Sequence, residues 1–291
     1  MKIAAAAYPL DVLDTWSQYE DKLTAWVREA AQAGADLLVF PEYGAMELAT
    51  LAGPGVAGDL EQSLFAAAVY IGAADELHKS LAAQFGVHII AGSSPAKTRG
   101  RPVNRARLVT PDGQLGSQDK QIMTRFEREV WDVVPGDGLQ VFDTALGKIG
   151  ILICYDSEFP LLGRALSACD VICVPSVTET LAGYWRVRIG SMARALENQC
   201  VTVMSSVVGE APWSEALGTS FGAGGVFAPP DKGLPQDGVL ALGVLNAPGW
   251  TYADVDLRQV ERVRADGTVL NHRDWDLQQG RDLAAPVVRL R

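Results

Sequence analysis

The chain has 291 residues, of which 25 are Lys or Arg and 35 are Asp or Glu, for a formal charge of −10. Hydrophobic residues make up 48% and charged residues 21%, which excludes collagen-like, disordered and coiled-coil chains. Net negative charge without a run of basic residues argues against nucleic acid or a membrane surface as partner, and no stretch reaches the roughly 20 apolar residues of a membrane span.

The opening residues Met1–Leu10 carry only a short apolar run, followed by Asp11 and Asp14, and read as a first strand (3–7) of a cytoplasmic protein rather than a signal peptide. Trp16, Leu23, Trp26, Val27 and Ala30 then recur at helical spacing up to Gly34, a C-terminal stop. Residues 36–41 form a strand, apolar after Asp36, that ends at Pro41-Glu42, a long helix runs from Leu60 to Phe85 and closes at Gly86, and Val87 to Ser93 is the next strand. This βαβαβ start predicts an α/β sheet with buried strands.

Pro102 to Val109 reads as a strand followed by the turn Thr110-Pro111-Asp112-Gly113. Leu139–Thr144 and Lys148–Ile153 flank a Gly147 connection and read as a hairpin, so the sheet is mixed. From Phe159 the βα alternation resumes: a short helix, a strand at 170–175, a helix at 184–198 and strands at 201–207, 224–227, 238–245 and 251–257. Arg258 to Arg291 is polar and shows no core pattern. The expected organisation is therefore one domain over residues 1–260 with a C-terminal extension at 261–291, a candidate for contacts between subunits.

Four cysteines (154, 169, 173 and 200) in a chain this long do not make a disulfide framework. Cys169 and Cys173 are spaced CxxxC, but no second pair or nearby His completes a metal site, so no metal and no cofactor is expected. Gly53-Pro54-Gly55-Val56-Ala57-Gly58 matches GxGxxG, yet no strand leads directly into it, and the phosphate-cradling role of that pattern needs one.

Glu42, Lys120 and Cys154 each stand where a strand or hairpin runs out into a loop, the usual place for active-site groups in α/β folds. Together they could perform nucleophilic acyl chemistry. A free thiol is only a few per cent thiolate at neutral pH, and a carboxylate in reach can take its proton and return it to a leaving amine. A lysine ammonium can stabilise the oxyanion that builds up on an attacked amide. The three histidines, His78, His88 and His272, sit in a helix, a strand and the polar tail without a triad signature.

These residues lie in motifs that resemble the carbon–nitrogen hydrolase (nitrilase) superfamily over about residues 1 to 260: Val39-Phe40-Pro41-Glu42, the Lys120 loop, Pro135-Gly136-Asp137, Gly150-Ile151-Leu152-Ile153-Cys154-Tyr155-Asp156 with Phe159-Pro160, and Arg194-Ala195-Leu196-Glu197-Asn198-Gln199. The resemblance implies an α-β-β-α sandwich with two mixed β-sheets. It implies Glu42 as general base, Lys120 as oxyanion stabiliser and Cys154 as nucleophile, with the backbone N–H of Tyr155 completing the oxyanion hole. It also implies a homodimer or higher homo-oligomer paired through helices. Many members carry a second glutamate between the lysine and the cysteine. Glu127 and Glu129 both qualify by type, and Glu129 meets the family's six-residue count to Pro135 and is preferred.

Cys154-Tyr155-Asp156 is similar to the amidase and carbamoylase branches, which favours a small amide or N-carbamoyl substrate. Nitrile hydrolysis, or an idle binding protein on the same fold, are the alternatives. Tyr43, Trp131, Glu179 and Trp185 lie near the motifs in sequence and are candidate pocket residues. The segment from Gly209 to Phe221 has an individual sequence, so specificity does not carry over.

Overall fold

The computed structural model describes residues 1–281 and 284–290. Nine strands form the backbone of the main sheet: β1 (Lys2–Tyr8), β2 (Leu37–Val39), β3 (His88–Ala96), β4 (Val103–Val109), β5 (Leu115–Asp119), β6 (Phe142–Thr144), β7 (Gly147–Ile151), β8 (Val171–Ser176) and β9 (Val201–Val207). Their spatial order is β5-β4-β3-β2-β1-β9-β8-β7-β6. Pairing is parallel among β1, β2 and β3 and among β7, β8 and β9, and antiparallel for β3-β4, β4-β5 and β6-β7. Strands Gly249–Asp254 and Gly225–Phe227 add antiparallel to β1 and β9.

The sheet behaves as two halves. Only Ala7–Ser206 and Tyr8–Val207 pair across the β1–β9 junction. Because side chains alternate along a strand, β1 divides its residues between two cores. Ala4, Ala6 and Tyr8 pack with Tyr19, Leu23 and Val27 of the helix Trp16–Gln32 and with Leu64, Ile71 and Leu81 of the helix Leu60–Phe85. Ile3 and Ala5 pack with Ile149, Ile151, Val171 and Cys173 of the other half. That second core extends to Tyr184, Val187 and Ala195 of the helix Leu181–Asn198. Helices therefore cover the outer faces of two stacked half-sheets, the α-β-β-α arrangement expected from the sequence.

The helices begin and end where local chemistry dictates. Thr15 and Gln18 form a capping box at the start of the first helix, Asp59 caps the second, and Gly86 at φ +68° terminates it. Three elements depart from the sequence reading. Residues 115–119, a polar stretch past the turn at 110–113 without a strand pattern, are β5, an edge strand that only its ladder with β4 defines. The GxGxxG segment, for which no element is expected, contains the single helical turn Pro54–Gly58. Part of the polar tail is the helix Leu257–Asp266, held by two buried side chains, Val260 and Val263, too few to show as a periodic pattern. No helix among the described residues is long and apolar enough to cross a membrane.

Candidate active site

Glu42 is positioned by a strand that cannot continue. Phe40 N–H still bonds the Ile90 carbonyl, but Pro41 ends the ladder, and Tyr43 takes φ +54° to start the 3₁₀ segment Gly44–Ala52. The neighbouring strand β3 carries a register shift between Ile90 and Ser93. There Gly92, at φ +73°, presses its backbone against Pro41, and a Cβ at that position would lie 2.1 Å from the Pro41 oxygen. Ser93 N–H then donates to that oxygen at 3.2 Å, and Ser93 Oγ accepts from Tyr43 N–H at 3.2 Å.

Lys120 follows β5, with its N–H on the Asn104 carbonyl at 2.8 Å. The Pro135-Gly136-Asp137 turn locks beneath it: Gly136 N–H donates to the Lys120 carbonyl and Asp137 N–H to Asp119 Oδ2. Cys154 opens the 3₁₀ turn Cys154–Glu158 at φ +48°, a left-handed conformation costly for a non-glycine residue and found mainly where function needs it. Two side chains hold that turn. Asp156 accepts the N–H groups of Gln121 and Ile122, joining it to the lysine loop, and Arg194 Nη1 donates to the Ser157 carbonyl at 3.0 Å.

The three groups converge. Lys120 Nζ lies 2.7 Å from Glu42 Oε1 and 2.6 Å from Glu127 Oε2, all with side chains 4% exposed or less. Glu42 Oε2 accepts from Val177 N–H at 3.1 Å, and Cys154 Sγ faces the Val177 carbonyl at 3.6 Å. Glu127 Oε1 accepts from Tyr43 Oη at 3.1 Å. These groups form the floor of a cavity of about 560 Å³. Phe126, Trp131, Val187 and Leu217 supply apolar wall, and Arg125, Glu158, Glu179 and Arg186 supply charge.

Electrostatics in this floor follow from two carboxylates sharing one ammonium. Burial raises the Glu42 pKa, Lys120 lowers it in part, and Glu127 raises it again. At Glu127 burial also raises, but Lys120 and the hydrogen bonds from Thr124 outweigh it and hold the carboxyl below its usual range. Burial alone would discharge Lys120. The two carboxylates overcome it and keep the ammonium charged. Burial and then Glu42 push the Cys154 thiol well above its ordinary value, against a smaller pull from Lys120. The resting sulfur is a thiol beside a carboxylate, an arrangement suited to deprotonation during attack.

The sequence profile of the family described as carbon-nitrogen hydrolase matches residues 2–265. The chain belongs to that family. Among curated relatives, it is 34% identical over 281 residues to the probable hydrolase YhcX of Bacillus subtilis (strain 168), covering 94% of this chain and 53% of that protein. The chain thus spans about half the length of that relative. It is 30% identical to a nitrilase of Pyrococcus abyssi (strain GE5 / Orsay), covering 91% and 93% of the two chains. It is 26% identical to omega-amidase NIT2-B of Xenopus laevis over 84% and 85%. The crystal structure of a carbon-nitrogen hydrolase from Helicobacter pylori G27 superposes with a TM-score of 0.74 at 19% identity, covering 97% of this chain and 94% of that one, and so shares the fold.

Within this carbon–nitrogen hydrolase, two sequence expectations are corrected. Glu127, not Glu129, reaches the lysine. The two lie two residues apart on the helical turn Arg125–Glu129, on opposite sides of it, and the turn presents Glu127 inward while Glu129 faces solvent and pairs with Arg125 at 2.8 Å. The pattern Thr124-Arg125-Phe126-Glu127 is a capping box, a local signal that fixes Glu127 at the third helical position and was more informative than a count from Pro135. Trp185 does not line the cavity. On its helix the lining stripe is Gly183, Arg186 and Val187, and Trp185 is 45% exposed with Arg188 stacked on it. Tyr43, Trp131, Tyr155 and Glu179 do line it, Tyr43 buried and Glu179 exposed at the rim. Ala216 and Leu217 bring the individual segment 209–221 into the wall. Asn104, which sequence reasoning missed, contacts both glutamates. The three histidines lie away from the cavity, His78 bonded to the Ala74 carbonyl and His272 to that of Ser167.

Proposed function

We propose that the protein is a cytoplasmic, cysteine-dependent amidohydrolase that cleaves a small non-peptide amide or N-carbamoyl compound through a thioester. The observation that carries this reading is the buried thiol beside a carboxylate that shares one ammonium with a second carboxylate, all on the floor of a single cavity. Cys154 Sγ attacks the carbonyl carbon while its proton passes to Glu42 Oε2. The oxyanion is met by the Lys120 ammonium and by the N–H of Tyr155, which precedes the first internal bond of its turn, Asp156 N–H to Ile153 O. Glu42 returns the proton to the departing ammonia or amine, leaving an acyl thioester. Glu42 then takes a proton from water, which attacks the thioester, and the acid departs as the thiol is restored. Glu127 holds Lys120 in place, and Tyr43, Tyr155 and Glu179 contact substrate.

Ammonia release from a panel of amides, N-carbamoyl amino acids and nitriles tests this reading. Turnover of at least one amide or carbamoyl compound, lost in Cys154→Ala, is expected. Turnover confined to nitriles would replace it, and full activity in Cys154→Ala would remove the thiol from the reaction. An idle scaffold would alkylate at Cys154 no faster than at the buried Cys169, Cys173 and Cys200.

A homodimer formed through the outer helix belongs to the same proposal. Leu181, Trp185, Ile189 (62% exposed) and Leu196 leave an apolar stripe along that helix, with Leu161 beside it. Sedimentation of Ile189→Asp as a monomer, against a dimeric parent, is the expected result.

A further inference from the structure

Asn104 is wholly buried on β4 and touches every charged group of the site floor. Its carbonyl accepts Lys120 N–H at 2.8 Å. Its side-chain Nδ2 donates to Glu42 Oε1 at 2.9 Å and to Glu127 Oε1 at 3.3 Å. Ionised carboxylates only accept hydrogen bonds, so the NH₂ end of the amide must face them. The other end, Oδ1, is buried without a hydrogen-bond partner. Among the described residues the hydrogen bonds of this side chain go to the two site carboxylates alone.

The two oxygens of Glu42 are thereby made unlike. Oε1 receives two donors, Lys120 Nζ and Asn104 Nδ2. Oε2 receives the Val177 N–H alone, beside the carbonyl that Cys154 Sγ faces. We infer that Asn104 is a positioning residue that saturates Glu42 Oε1, bridges the two carboxylates and so reserves Oε2 as the atom that takes the thiol proton.

This inference rests on Glu42 acting as base, and its test separates the two. The charged or titratable groups facing Glu42 are Lys120, Glu127 and Cys154, with Tyr43 and Asp156 just beyond. Withdrawing a donor from Glu42 makes its ionised form less favourable, so proton abstraction requires higher pH. Asn104→Leu and the isosteric Asn104→Asp are compared with the parent and with Glu42→Gln. The readouts are thermal melting, the pH profile of Cys154 alkylation by iodoacetamide, and kcat and KM on an amide from the panel.

For Asn104→Leu, alkylation at pH 7 is expected to fall about tenfold, with its midpoint about one pH unit higher. The expected kcat loss is on the order of a hundredfold with KM within about twofold, because a bond to the base is lost and not a bond to substrate. Asn104→Asp shifts the same way and carries the test if the leucine variant does not fold. Folded Asn104 variants with the parental alkylation profile would overturn the inference while leaving Glu42 as base. Identical profiles for the parent and Glu42→Gln would overturn the reading of Glu42, and this inference with it.

Discussion

Two carboxylate–lysine networks are buried in this molecule a short step apart along the chain, and only one opens on the cavity. Around Glu47, Tyr8 Oη donates to Oε1 at 2.7 Å, and Asp11 N–H and Lys22 Nζ donate to Oε2 at 3.0 and 2.6 Å. The Lys22 ammonium also lies 4.3 Å above the Tyr8 ring and reaches the Pro9 carbonyl. Among the described residues every donor there has an acceptor, and none of these residues lines the cavity of the site. Both networks place two carboxylates on one ammonium, but Asp11 is 56% exposed whereas Glu42 and Glu127 are both buried, and a thiol and left-handed backbone at Tyr43 and Cys154 adjoin them. Burial raises the carboxyl pKa in both networks, so a shifted titration does not distinguish them. What distinguishes the second is that its surplus charge is wholly buried and faces a cavity together with a thiol and strained backbone, features a purely structural network has no reason to keep.

The sharpest way to break this comparison is to neutralise each glutamate in turn. Glu42→Gln keeps the shape and removes the proposed base, and is expected to lower kcat by about 10²–10⁴, with a melting temperature near the parent's because Glu127 still neutralises Lys120. Glu47→Ala is expected to do the reverse. Removing one partner of a buried pair costs about 3–5 kcal/mol, and here about 3 kcal/mol, since Lys22 keeps Asp11 and the Pro9 carbonyl. Its kcat should stay within about twofold. Denaturant titration and steady-state assays on both variants decide it, and a Glu47→Ala protein that is stable yet inactive would erase the distinction.

Lys120→Met extends the test to the shared ammonium. Loss of one oxyanion donor is worth about 10²–10³ in kcat, and the variant also leaves Glu42 and Glu127 facing each other without a cation. Its acid limb should move to higher pH as one of the two carboxyls retains a proton. A pH–rate profile unchanged in shape would mean that the ammonium does not couple them.

The contrast between the two networks also marks the limit of what could be read from sequence. Glu42 and Cys154 were legible because each ends an apolar run, Phe40-Pro41 and Ile151-Leu152-Ile153, whereas Lys120 follows the polar strand β5 and was legible only as the end of an element within a family motif. Glu47 was not, because it lies in a 3₁₀ segment, Gly44–Ala52, whose mixture of small and apolar residues has no clean period. Glu127 and Glu129 were separable only by a helical phase that a five-residue turn hardly displays. Asn104 reads in sequence as one more strand residue, and its side chain acquires meaning only when β2 and the helical turn bring two carboxylates to it. Strands were easier. β1, β2 and β8 are buried on both faces and therefore almost continuously apolar.

Another buried carboxylate lies between the two kinds. Asp156 is 1% exposed, accepts the N–H groups of Gln121 and Ile122, and has its pKa raised to about 7, chiefly by burial, with Lys120 and those N–H groups opposing. An acid whose folded pKa exceeds its unfolded value contributes stability that is fully present below the unfolded pKa, near 4, and is lost as pH rises through about 7. Asp156→Asn lacks that titration. Its stability relative to the parent should therefore rise between pH 4 and 7 and then level, whatever constant penalty the lost acceptor imposes. Urea unfolding at several pH values reads the slope, and parallel curves for the two proteins would show that Asp156 does not titrate in this window.

The smallest expected effect belongs to the glutamate that the sequence favoured. Glu129 pairs with Arg125 across one helical turn, with side chains 45% and 83% exposed, and such surface pairs contribute about 0–1 kcal/mol. Glu129→Gln should leave kcat, KM and melting temperature near parental values. Glu127→Gln, on the same turn, removes one of the two carboxylates on Lys120 and weakens the Thr124 capping box. Its kcat should fall at least tenfold, and its melting temperature should change modestly, since the lost cap is offset by one fewer buried charge. The pair of substitutions compares the same chemical change on two faces of one turn, so a difference between them measures the ammonium contact and not the charge of the loop. Equal effects from both would return the second glutamate to the surface and leave Lys120 paired with Glu42 alone.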